Sequence, residues 1–238
     1  GNYINSSEFP ASNTGFPDTT TAGNFFDQRD MGFYVQGSYK VNEDLKITLG
    51  GRVDDNKVRG DHLNTVFNPR VAVVYSPGAF IFKGIYATAF KEASNLTKYA
   101  TTGSRKLNNP QLKPEVVHNY EVSGHWENKD NSLVAELAVY YAQYSGIVGV
   151  RNVPFEGGLT QQFANIGNSE IMGSQATVSY KHEDWDFYGN YTFTDPRNTK
   201  DEDGDINERI ADIASHQVNV GANYFHKGFN FNISVNYV

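Results

Sequence analysis

Residues 31–56 read MGFYVQGSYKVNEDLKITLGGRVDDN, two runs of strict alternation around a short polar turn. In the first run Phe33, Val35, Tyr39 and Val41 share one side with Gly37, while Tyr34, Gln36, Ser38 and Lys40 take the other. In the second run Leu45, Ile47, Leu49 and Val53 oppose Lys46, Thr48, Arg52 and Asp54. Successive side chains of a strand point to opposite sides of the pleat, so a period of two means an extended chain with one oily and one wet face. What the oily face touches, a protein core or lipid, decides the architecture.

The pattern recurs almost to the last residue. RVAVVYS aligns Val71, Val73 and Tyr75, and SLVAELAVYY aligns Leu133, Ala135, Leu137, Val139 and Tyr141. QATVSYK, DFYGNYTFT and QVNVGANY continue it, and VHNYEVSGHW joins through Tyr120, Val122 and Trp126. FNFNISVNY is the cleanest, with Phe229, Phe231, Ile233, Val235 and Tyr237 against Asn230, Asn232, Ser234 and Asn236. FIFKGIYATAF is apolar on both sides and gives no orientation. The expectation is an all-β, antiparallel up-and-down meander of about ten long strands. Many reach roughly nine residues, whereas soluble strands usually run about five or six and a tilted strand crosses a bilayer in about 9–11.

The connections are sorted by length. Short polar turns are predicted at 42–44, 77–79, 128–131, 182–184 and 226–228. Long polar loops are predicted between them, at about 55–68, 91–114, 146–162 and 195–215. A meander through a bilayer produces this sidedness, with tight turns on one side and long loops on the other. A β-sandwich has no need of it, although a soluble sandwich would show the same alternation with its oily faces meeting. Tyr39, Tyr75, Trp126, Tyr180, Trp185, Tyr224 and Tyr237 lie near strand ends, where half-oily, half-wet rings suit a membrane interface.

Composition excludes several classes. Cysteine is absent, which removes disulfides and thiolate metal sites. The formal net charge is -7, against a phosphate-binding surface, so no nucleic-acid partner is expected. No apolar run approaches the roughly 18 residues of a membrane helix. The first residues do not read as a signal peptide, so either the chain is cytosolic or its natural start lies upstream. His62, His118, His125, His182, His216 and His226 are scattered without paired metal spacing, and no nucleophile or phosphate-loop motif appears. Hence no catalytic residue and no cofactor is expected. DEDGDINE fails as an EF-hand loop, because Gly204 at position 6 puts Thr199 at position 1 and Ile210 at position 12. Asp201, Asp203 and Asp205 are left as candidates for a looser calcium site in what reads first as a solvated acidic loop. Asn5, Asn95, Asn190 and Asn232 begin N-x-S/T triplets that read as chance.

FNPRVAVVYSP, GIYATAFKEAS, NNPQLKPEVVHNYEVSG and FANIGNSEIMGSQATVSY, followed by YGNYTFTDPRN and SHQVNVGANYFHKGFNFNISVNY, resemble the barrel of TonB-dependent outer-membrane receptors. The resemblance runs from about Asp30 to Val238, in the order of the second half of that barrel. NPQLKPE followed by Tyr120-Glu121 is its most specific part. It implies a share of a 22-stranded transmembrane β-barrel plugged by an N-terminal domain. It also implies location in the outer membrane of a Gram-negative bacterium, against outer-membrane lipid, and import of a ferric siderophore or similar large nutrient with energy from the TonB complex. Haem, cobalamin and glycans are further cargoes of the family. Against that pattern, the plug and the final strands are missing, so an internal fragment is expected. Residues 1–238 would form one barrel segment, with 1–29 an extracellular loop and 30–238 strands and loops.

Under that resemblance, ligand contacts belong on the long loops, where Tyr99, Arg105, Lys106, Arg151 and Phe155 offer the aromatics and cations that suit an anionic iron complex. Arg52 and Arg70, on the wet face, are candidates to hold the plug or to pair with wall carboxylates. A passive porin and an enzyme barrel are the other readings, along with the soluble β-sandwich binding module.

Overall fold

The computed structural model describes residues 2–6, 26–58, 61–94, 97–98 and 106–238. They form one 13-stranded sheet. Its strands are β1 (Asn2–Ser6), β2 (Phe26–Lys40), β3 (Leu45–Val58), β4 (Asp61–Tyr75), β5 (Phe80–Lys91), β6 (Lys106–Leu107), β7 (Glu115–Glu127), β8 (Leu133–Phe155), β9 (Gly158–His182), β10 (Trp185–Lys200), β11 (Asp205–Arg209), β12 (His216–His226) and β13 (Phe229–Tyr237). The main path runs β1-β2-β3-β4-β5-β7-β8-β9-β10-β12-β13, every pair on it antiparallel, with β6 and β11 as side branches. This is the predicted meander. The sheet does not fold back on a second one, and no two-sheet core forms among the described residues.

The register carries the oily faces of neighbouring strands onto the same side. Phe33 stands opposite Val53, and Val53 opposite Phe67. Val71 faces Tyr86, Tyr86 faces Tyr120, and Tyr120 faces Tyr141. Val178 faces Gly189, Gly189 faces Val220, and Val220 faces Val235. A one-residue slip at any pair would turn a whole oily set over, so the pattern itself fixes the register. The same pairing orients β5, which the sequence left ambiguous: Phe80, Phe82, Gly84 and Tyr86 join the oily side. Phe33 is 72% exposed, Ile233 70% and Val122 66%, so the protein itself leaves this side uncovered.

Rings line the side of the short turns. Phe80 lies 6.5 Å from Trp126, Trp185 4.5 Å from Tyr224, and Tyr180 6.4 Å from Phe187. A second row, Tyr86, Tyr120 and Tyr141, lies towards the other ends, with centroids 5.0 and 6.3 Å apart. Beyond this row the same side turns polar: His118 follows Tyr120 on β7, Gln143 follows Tyr141 on β8, and Glu170 follows Met172 on β9. The oily band is therefore bounded on both edges.

The turns fall where predicted, but three of the four long loops do not remain loops. Segments 55–68, 146–162 and 195–215 are largely strand, as β3 with β4, β8 with β9, and β10 with β11 continue pairing past the oily band. β8 and β9 reach 23 and 25 residues. These upper segments mix polar and apolar residues on both faces, so no clean alternation announces them, while the backbone ladder forms all the same. The acidic loop follows suit: Asp205 pairs with Lys200, and one Asp201 oxygen accepts the Asp203 and Gly204 N–H groups at 2.9 and 3.1 Å.

Two glycines admit tyrosines onto the wet face. Gly173 stands directly opposite Tyr140, whose hydroxyl reaches Thr194 on the next strand at 3.2 Å. Gly221 stands opposite Tyr188 in the same way. A Cβ on Gly173 would meet the Tyr140 hydroxyl at 2.3 Å and the Phe193 carbonyl at 2.6 Å, whereas one on Gly37 meets nothing within 4 Å. Overpacking of this kind costs about 1–3 kcal/mol. Gly173→Ala should lower the urea unfolding midpoint of the full-length folded protein accordingly, with Gly37→Ala nearly neutral; equal effects would contradict the packing.

Candidate functional site

The wet face is hydrogen-bonded to itself across strands. Ser38 meets Thr48 at 2.8 Å and His125 meets Glu136 at 2.7 Å, while Arg52 and Asp54 pair along β3 itself at 2.6 Å. Asn232 donates to Asn223 at 2.7 Å. A polar recess of about 240 Å³ opens on this face between β5 and β9, lined by Lys83, Glu121, His125, Glu136, Gln175 and Thr177 among others. Arg70 stands in register between Gly50 and Ala87.

The few buried residues gather beyond the oily band, on the side of the extended hairpins. Leu112 is 2% exposed, Ala142 6%, Ala164 5% and Ser169 7%, and Lys98 is fully buried beside Glu92, with which it forms an ion pair. They mark the place where the connection from β5 to β7 leaves the sheet order. Above Asn168, β9 no longer pairs with β10. The residues 106–114, KLNNPQLKP, take up that edge: Lys106 and Leu107 pair in parallel with Gln161 and Gln162. From there the strap crosses β9 and β8 to rejoin β7 at Glu115. Ala142 and Ser169, both buried, belong to the wet-face sets of β8 and β9, the side on which we place the crossing.

Side-chain amides tie the strap down. Asn165 accepts the Lys113 N–H at 2.9 Å and donates back to the Lys113 carbonyl at 2.9 Å and to the Gly146 carbonyl at 2.6 Å. Asn109 donates to the Phe163 carbonyl at 2.8 Å, and Gln162 to the Asn108 carbonyl at 3.0 Å. Asn168 accepts the Gly146 N–H at 3.1 Å, at a left-handed residue (φ 68°). Glu115 accepts the Val148 N–H at 2.8 Å. Each bond satisfies a backbone group that the departing strands would otherwise leave open.

Of the residues singled out in the sequence, Lys106 and Arg151 converge: Lys106 lies in register with Gln161, and Arg151 donates to Gln162 at 3.2 Å. Phe155 sits at the hairpin tip, opposite Gly158. Tyr99 and Arg105 lie outside the described residues. Asp201, Asp203 and Asp205 do not converge: among the described residues no group of three or more His, Asp or Glu could hold a metal ion. The interlock of Asn109, Leu112, Glu115, Asn165 and Asn168 was missed as a site. Its only trace in the sequence was that NNPQLKPE and NIGNSE carried the resemblance, since nothing local says that segments about fifty residues apart will meet.

Removing the Glu115 carboxylate leaves the Val148 N–H without its acceptor, a loss of about 1–3 kcal/mol. Glu115→Ala should speed hydrogen exchange at Val148 and along the upper β8–β9 hairpin while leaving β12 and β13 unchanged. Unchanged exchange at Val148 would contradict the interlock.

The chain matches the family described as "TonB dependent receptor-like, beta-barrel" over residues 1–238. It is 26% identical over 177 residues to an iron-regulated outer membrane virulence protein of Vibrio cholerae, covering 68% of this chain and 26% of that protein. It is 27% identical over 128 residues to the ferripyoverdine receptor of Pseudomonas aeruginosa, covering 53% of this chain and 16% of the receptor. The fold superposes on the siderophore receptor PirA from Acinetobacter baumannii with a TM-score of 0.68 at 17% identity, over 96% of this chain and 36% of that one. The chain thus spans between about a sixth and about a third of the length of these relatives.

Proposed function

The chain belongs to the TonB-dependent receptor β-barrel family, and on that premise we propose that it forms part of the wall and extracellular rim of an outer-membrane receptor importing a ferric siderophore with TonB energy. The observation that carries the reading is the sidedness of the sheet. One face is an oily band bounded by aromatic rows, with tight turns at one edge and tall polar hairpins at the other, as a strand meander in a bilayer requires. The oily face lies against outer-membrane lipid. The wet face looks into a lumen occupied by the receptor's N-terminal plug, through which the TonB complex acts. The recess lined by Glu121, His125 and Glu136, and the residues Arg52 and Arg70, belong to the plug-facing wall.

In this reading residues 1–238 are one barrel segment, with 1–29 at the extracellular rim. Ligand contact is assigned to Tyr99, Arg105, Lys106, Arg151 and Phe155, and the convergence of Lys106 and Arg151 beside Gln161 and Gln162 supports it. The siderophore assignment is supported by the relatives named for ferripyoverdine and for siderophores. The receptor selects its cargo at the rim, and energised rearrangement of the plug lets it pass.

Two experiments test this. The full-length receptor, expressed in cells without their own siderophore receptors, should import one of the radiolabelled ferric complexes of pyoverdine, desferrioxamine B or enterobactin. That uptake should vanish when TonB is deleted; TonB-independent flux of small solutes would make the barrel a passive channel instead. Val220→Arg, in the middle of the oily row of β12, should cost about 2–4 kcal/mol of stability in lipid, with the cost shrinking towards Tyr224. A cost independent of depth would contradict the lipid contact.

A further inference from the structure

The strap 106–114 is held to the wall by few backbone bonds. Its parallel pairing with β9 is two residues long. Most of what pins it comes from amide side chains, and Asn165 alone supplies three of these bonds, to both backbone groups of Lys113 and to the Gly146 carbonyl. Beneath the strap Leu112 is buried; Asn108, Pro110, Gln111 and Lys113 are exposed. Because the crossing lies on the wet side, that exposed polar edge stands at the mouth of the lumen.

Resting on the receptor reading above, we propose that Asn165 is a positioning residue for ligand capture: its clasp on Lys113 holds the inward-folded strap across the lumen mouth, where Asn108, Gln111 and Lys113 form one side of the site for the iron complex. The chemistry suits the cargo class. Amide groups and one ammonium supply hydrogen-bond donors and a positive charge to an anionic, oxygen-rich chelate. Asn165 itself faces the strap and does not touch the ligand. Asn is suited to this place because it is donor and acceptor at once. An aspartate would keep the bond from the Lys113 N–H but lose both bonds to carbonyls.

The test uses the full-length receptor in lipid nanodiscs, with hydrogen exchange of 106–114 and binding of the three ferric complexes named above measured on the same preparations. Asn165→Ala should release the strap, raising its exchange, and weaken binding about tenfold, a change of about 1.4 kcal/mol. Asn165→Asp should fall between. A merely damaged fold is separated by rescue: the chain has no cysteine, and Leu107 and Gln162 are register partners. Adding Leu107→Cys and Gln162→Cys to the Asn165→Ala variant should restore binding when oxidised and lose it again on reduction.

A strap that stays protected in Asn165→Ala overturns the clasp. A strap that is released while binding is unchanged overturns the role in capture, as does a disulfide that fails to restore binding. If the unaltered receptor binds none of the three complexes, the siderophore reading fails and the capture role with it, while the exchange measurement still decides the clasp.

Discussion

A peptide N–H or C=O in hydrocarbon has no water to bond, and leaving one open costs several kcal/mol. That single constraint organises the molecule. Long strands pair side by side without a break from β1 to β13, so that within the sheet each strand satisfies its neighbour. Once the ladder is obligatory, side chains are left with one remaining variable, the face they occupy. On most strands the sequence puts Val, Phe, Leu and Tyr on one side and Ser, Thr, Asn, Lys and Glu on the other, with β5 and the wet-face Tyr140 and Tyr188 as exceptions. Among the described residues the oily side meets no second sheet, which is why rings and aliphatic chains that a soluble protein would bury stand open along the long strands.

Beyond the oily band the same ladder meets water, and a different economy applies. Strand pairs can end, diverge or be replaced. β10 leaves β9 above Asn168, and the connection between β5 and β7 fills the gap it leaves. The buried residues of an otherwise thin wall are concentrated at that junction. Side-chain amides complete the ladder there because the strap runs across the strands, where backbone-to-backbone pairing is geometrically unavailable. A rim fixed by individual side chains can change without disturbing the band below it.

The fold was legible wherever one face of a strand loses water. Alternation found the strands within the band, and the five turns followed from the polar gaps between them. It failed in two informative ways. β5 is apolar on both sides, with Ile81 and Ile85 on the wet face, and only its register with β4 and β7 orients it. The upper parts of β8 and β9 mix polar and apolar residues on both faces, so their twelve or so extra residues each read as loop. The site was less legible still. Arg151 and Lys106 were marked by charge, and the structure brings their segments together. Asn165, in contrast, is an ordinary polar residue by every local criterion, and its importance comes from Lys113, fifty-two positions away. Partnerships across such a distance are set by topology, which the local pattern does not contain.

The central claim is that the alternating faces of these strands see different solvents. Spin labels placed one at a time at residues 217–224, in a chain with no cysteine of its own, measure this directly through collision with oxygen, which prefers lipid, and with a water-soluble nickel chelate. In the full-length protein in bilayers, oxygen accessibility should peak at 218, 220, 222 and 224, and the opposite face at 217, 219, 221 and 223 should show little oxygen contact. Accessibility without a period of two, or with the opposite phase, would contradict the account.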